Sequence, residues 1–136
     1  MNKTIALVLG AMLLGTPKID ATTMIGKNNV TLKSDLMSPE ALWAMGRIGT
    51  AAVSPDGKQV VYQVSYYSVK ENKGHQMLFI MDANGKNQKV LTTDAKNESD
   101  AAWIDGGQKI AFIRGGQLWS MNPDGTNRKQ LTHEAK

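Results

Sequence analysis

The chain has 136 residues, 41% of them apolar and 21% charged, with a formal net charge of +4. That composition suits one soluble globular domain or part of one. The positive charge is weak and scattered, without bases clustered beside stacking aromatics, which excludes a nucleic-acid footprint. With no cysteine, disulfides, thiolate metal sites and a lipidated N-terminal cysteine are excluded.

Residues 1–21 read as an export signal. Lys3 supplies the positive start, and the run from Ile5 to Leu14 is apolar but too short to span a membrane. Cleavage is expected after Ala21, with an earlier cut near Gly15 as the alternative because Ile19 is a poor −3 residue. No stable membrane anchor is expected. An exported chain without cysteine fits a bacterial periplasm or secretion. Residues 22–37, polar and carrying Gly26, Asn28 and Asn29, read as a linker.

A short helix is expected over 38–46. Ser38 is a good N-cap, Pro39 suits the first helical position, and Glu40 faces the positive end of the helix dipole. From residue 50 the pattern changes to short runs of β-branched and aromatic residues bounded by Gly, Asp and Asn. Val60–Val64, Met77–Met81, Lys109–Ile113 and Gln117–Met121 read as strands. Pro-Asp-Gly occurs twice, at 55–57 and 123–125, each time between apolar runs. Pro presets φ, Asp bonds nearby backbone and Gly takes a positive φ, so both read as hairpin turns.

The runs repeat. Val53–Tyr62 aligns with Trp103–Phe112 fifty positions on, and Leu78–Thr92 aligns with Leu118–Thr132 forty positions on. The first repeat therefore carries an extra ten residues, expected as a longer loop around Tyr67–Gln76. Each repeat reads as four antiparallel strands ending in Leu-Thr, one blade of a β-propeller. The expected organisation is all-β, with blades over 50–93 and 101–133.

This text resembles the propeller repeats of TolB-like proteins and of prolyl oligopeptidase-type serine peptidases. The helix segment Leu36–Trp43, then Arg47-Ile48, then Ala52–Lys58, is similar to the mature N-terminus of bacterial dipeptidyl-peptidase and acylaminoacyl-peptidase members. The resemblance covers about residues 36–133. It implies an N-terminal propeller that gates peptide substrates, joined to an α/β-hydrolase domain with a Ser-Asp-His triad on a Gly-x-Ser-x-Gly elbow. It further implies partners in the form of peptide substrates, further blades and that hydrolase domain. The alternative is a TolB-like propeller module that binds protein in the periplasm without chemistry.

No catalytic, metal or cofactor-binding residue is assigned within the chain, and its substrate-binding residues are undefined by sequence. No serine among 34, 38, 54, 65, 68, 99 and 120 is flanked by Gly at both −2 and +2. The histidines, His75 and His133, read as solvated loop residues. Asp94, Glu98, Asp100 and Asp105 lack the spacing of a calcium loop and read as a solvated connection between blades. The sequons at Asn29 and Asn97 carry no meaning in bacterial export. Trp103 and Trp119 read as packing between blades, with ligand stacking as the weaker option. Tyr66-Tyr67 read as a loop start that contacts a partner or caps a blade edge. Because a propeller closes with four or more blades, two blades leave open faces, and the chain is expected to be the start of a longer protein, with a ring assembled from two-blade chains as the alternative.

Overall fold

The computed structural model describes residues 25–27 and 35–135. The expected export signal, and most of the expected linker, lie outside the described residues. Among the described residues one α-helix, α1 (Pro39–Ala44), is capped by Ser38, whose Oγ accepts the Ala41 N–H at 3.1 Å. Eight strands follow: β1 (Arg47–Val53), β2 (Gln59–Ser68), β3 (Lys73–Asp82), β4 (Lys89–Val90), β5 (Glu98–Ile104), β6 (Lys109–Arg114), β7 (Gln117–Met121) and β8 (Lys129–Gln130). They form two antiparallel four-stranded sheets in strict chain order, β1-β2-β3-β4 and β5-β6-β7-β8. The fold is all-β with little helix.

The turns follow from their residues. In Ser54-Pro-Asp-Gly57, the Gly57 N–H returns to the Ser54 carbonyl at 2.8 Å, while Ser54 Oγ donates to Asp56 at 2.6 Å and accepts from the Gln59 N–H at 2.9 Å. In Asn122-Pro-Asp-Gly125, the Gly125 N–H returns to the Asn122 carbonyl and Asp124 accepts from the Thr126 N–H and hydroxyl. Both glycines have positive φ, 71° and 88°, which other residues adopt only at a cost. These hydrogen bonds, foremost from Ser54 and Thr126, hold the Asp56 and Asp124 carboxyls below their usual range.

Strand register fixes which side chains share a face. Val61 lies opposite both Ala52 and Ile80, and Leu78 lies opposite Gln63. This face of the first sheet packs on the second sheet's Ile110, Phe112 and Met121, with Trp103 and Trp119 at the margin. The Trp103 indole N–H also donates to the Ala52 carbonyl at 2.9 Å, across the two sheets. Trp103 and Trp119 hold the positions that Val53 and Phe79 hold in the first sheet, as their pairing with Ile110 and Phe112 shows.

The extra ten residues of the first repeat are not a loop. Most of them lengthen β2 and β3 to ten residues each, against six and five in β6 and β7, and the rest widen the turn between them. The pairs Tyr66–His75, Tyr67–Gly74 and Ser68–Lys73 continue the ladder. Tyr66 and Tyr67 alternate faces and carry β propensity, so strand pairing costs less than an open loop. His75 and Gln76 accordingly belong to β3.

Phe112 is completely buried between the sheets. Phe112→Ala is expected to cost about 3–5 kcal/mol, read as a lower urea midpoint with an unchanged denaturant slope.

Candidate functional site

Each repeat ends in Leu-Thr, and the structure shows what that pair does. The N–H of Leu91 donates to the Leu78 carbonyl at 2.8 Å, and the Thr92 hydroxyl accepts the Leu78 N–H at 2.8 Å. Leu131 and Thr132 repeat these contacts on Leu118 at 2.8 and 2.9 Å. The chain thus folds back on the third strand of its own sheet. The hydroxyl protons then part ways. Thr132 donates to Gln117 of its own sheet at 2.8 Å, whereas Thr92 donates to Glu98 of the next sheet at 2.9 Å.

Glu98 is wholly buried. Its carboxylate accepts from Arg114 at 2.7 Å and from Arg128. Arg114 also pairs with Asp94, and Arg128 donates to the Leu91 carbonyl at 2.6 Å. Two acids and two guanidiniums, from the inter-sheet loop, β5, β6 and the turn before β8, thus close one neutral cluster at the sheet junction. Arg114 further lies 5.5 Å from the Trp119 ring centroid, and Arg128 lies 5.3 Å from that of Phe112. Burial raises the Asp94 carboxyl, but Arg114, the Lys96 N–H and the charges of both residues outweigh it and hold it below its ordinary value. Burial lowers Arg114, and its two acids outweigh that in turn. The expectation of a solvated acidic connection is therefore corrected for Glu98, whereas Asp94 is ion-paired with its side chain 45% exposed. Asp100 stays exposed, and Asp105 makes an exposed pair with Lys109 at 3.1 Å.

His75 is likewise not solvated. It is 3% exposed, with Nδ1 2.9 Å from the Ile25 carbonyl and Nε2 3.2 Å from the Lys96 carbonyl. It pins the segment before α1 and the inter-sheet loop to β3, and Asn97 assists by accepting the Gln76 N–H at 2.9 Å. His133 is exposed. Ser38 caps α1, Ser54 the first turn and Ser68 the tip of the β2–β3 hairpin through the Glu71 N–H, while Ser65 accepts from the Gln63 side chain and Ser99 donates to the Asp100 carboxylate. Among the described residues, no group of three His, Asp or Glu is placed to hold a metal ion.

One concave feature lies beside α1. The Trp43 and Tyr67 rings meet edge to face at 5.8 Å, and the Arg47 guanidinium stands 4.7 Å from both centroids. Trp43, Tyr67, Val69, Asn72 and Lys73 line a cavity of about 440 Å³ there. The sequence signal for it was the ten-residue insertion.

No family model matches the chain. The chain is 39% identical over 137 residues to Dipeptidyl-peptidase 5 of Porphyromonas endodontalis, covering 97% of this chain and 20% of that protein. It is 38% identical over 113 residues to Dipeptidyl-peptidase 5 of Porphyromonas gingivalis, covering 83% of this chain and 16% of that protein. The chain thus spans about a fifth of the length of the curated relatives it matches. Among solved structures it superposes on an acylaminoacyl peptidase of Pyrococcus horikoshii with a TM-score of 0.56 and 18% identity, over 70% of this chain and 15% of that one. These matches bear out the resemblance to prolyl oligopeptidase-type peptidases, for a portion of such a protein.

Glu98→Gln leaves the part-buried Arg128 without a carboxylate and Arg114 with Asp94 alone, and is expected to cost about 3 kcal/mol in urea unfolding, whereas replacing Glu98, Arg114 and Arg128 together by apolar residues is expected to cost less. The Asp94 contribution, from a depressed carboxyl, is complete above the ordinary value of 3.8 and is lost as pH falls through the lower folded value. Acid titration of tryptophan fluorescence is expected to show this loss, and Asp94→Asn to remove that step.

Proposed function

We propose, from the kinship with prolyl oligopeptidase-type peptidases, that this chain is the N-terminal propeller portion of an exported serine peptidase. That enzyme releases short peptides from the N-termini of its substrates in a bacterial periplasm or outside the cell. The observation that carries the propeller reading is the inequality of the sheet faces. The second sheet buries Ile110, Phe112 and Met121 against the first and packs Trp103 and Trp119 at the margin. The first sheet presents the same register positions as Val53, Val60, Tyr62, Phe79 and Met81, with Val53 61% exposed. At the other end Leu131 is 42% exposed where its counterpart Leu91 is buried. Each unit therefore offers one kind of face forwards and another backwards. Repeated contacts between unlike faces close into a ring when the rotation per unit allows it.

In this reading the two sheets are the first two blades, carrying TolB-like repeats. The ring admits extended peptides and excludes folded proteins. Its partners are peptide substrates, the further blades and an α/β-hydrolase domain that carries the Ser-Asp-His triad. No serine or histidine of the chain is assigned to catalysis, and residues 1–21 serve as its export signal.

The test is the reading frame that follows Lys136, expressed together with this chain. We expect a Gly-x-Ser-x-Gly elbow some hundreds of residues on, hydrolysis of dipeptidyl-coumarin amides, and labelling of that serine by a fluorophosphonate. Residues 1–136 alone are expected to be neither active nor labelled. A continuation without the elbow, and without labelling, would leave the non-catalytic binding module as the better account.

A further inference from the structure

The ten residues by which the first repeat exceeds the second extend the β2–β3 hairpin past the end of its sheet. The extension builds one wall of the cavity beside α1, from Tyr67, Val69, Asn72 and Lys73, and Trp43 of α1 supplies the other. Gly74 belongs to the design: a Cβ there would lie 3.1 Å from the Tyr67 ring, so glycine lets that ring lie over the opposite strand. At about 440 Å³ the cavity falls in the range of small-ligand sites, with mainly apolar walls and few polar groups. Its surroundings are cationic, with Arg47, Lys70 and Lys73 against Glu71. Trp43 is 42% exposed and Val69 68%, so both are open to a ligand.

We infer that this cavity binds the C-terminal residue of a short peptide, the apolar side chain against Trp43 and Val69 and the free carboxylate at Lys73. The inference deepens the peptidase reading and rests on it for the peptide class. An enzyme that works from the N-terminus gains by holding the other end, because tethering raises the effective concentration of the reacting end. Apolar contact with Trp43 supplies affinity, and the lysine selects an acid over an amide. The second repeat lacks both the hairpin extension and a helix beside it, so the site occurs once in the two units.

The test is titration calorimetry of this chain expressed together with the reading frame that follows Lys136, with N-acetyl-Gly-Phe, its C-terminal amide and decanoate. The free acid is expected to saturate at millimolar concentration or below, and the amide to bind about three- to fivefold more weakly, as suits a partly exposed ion pair. Lys73→Gln is expected to abolish that difference. Trp43→Ala is expected to weaken the acid about tenfold or more, with far-UV circular dichroism unchanged. Val69→Asp, at an exposed position, repeats the test without touching the helix. No saturation by about 10 mM, a Kd near the weakest useful affinity, would overturn the inference. So would equal binding of acid and amide, an unchanged affinity in folded Trp43→Ala and Val69→Asp, or binding of decanoate alone. The outcome is independent of catalysis. Peptide binding survives if no serine elbow follows Lys136, and a lack of binding leaves the peptidase reading standing.

Discussion

A carboxylate without access to water holds the two sheets in register. Glu98 is the first residue of β5, and four hydrogen-bond donors converge on it from residues as far apart as Thr92 and Arg128. Burying one ionised acid alone costs several kcal/mol. The sheet junction avoids that cost only when the Thr92 hydroxyl, both guanidiniums and the Leu91 carbonyl arrive together. Apolar packing between Val61, Leu78, Phe112 and Met121 supplies the larger attraction, but it has no preferred direction. Direction comes from two hydrogen bonds of the cluster that cross the junction, Thr92 to Glu98 and Arg128 to the Leu91 carbonyl.

Matched positions of the two repeats show how far that restriction extends. Where the second repeat has Glu98, Arg114 and Arg128, the first has Ile48, Val64 and Gln88. Ile48 is 73% exposed. The first sheet therefore cannot accept a Leu-Thr end in the way the second sheet does. Its open face is apolar, with the Tyr62 and Phe79 rings stacked 5.5 Å apart. The repeats share a backbone plan and differ in the chemistry of their junctions, so the order of the units is written into a few side chains.

The backbone plan was legible in the sequence because its causes are local. Alternation marks strands, Pro-Asp-Gly marks turns, and two copies of one pattern mark two sheets. The packing of Trp103 and Trp119 was legible for the same reason, since register carries them to positions filled by apolar residues in the first repeat. The buried cluster was not legible. Asp94 and Glu98 sit among polar residues, and their partners lie 16 to 30 positions away. An acid on a loop looks solvated until the fold brings two arginines to it. His75 misled in the same way, because the carbonyls that face it belong to Ile25 and Lys96, 50 and 21 positions distant. The aromatic cavity was visible only as an unexplained insertion.

The cluster also imposes a sequence of events on folding. Every strand pair joins neighbours in the chain, so each sheet closes short loops and pays little closure entropy. Docking one sheet on the other then seals Glu98 from water together with the two arginines of its own sheet, while Asp94 keeps a side open to solvent. A ribosome delivers the first sheet, with Thr92 already placed on Leu78, before Arg114 and Arg128 exist. The first sheet is thus the template, and the second arrives as a unit whose last turn carries the cation that locks it down.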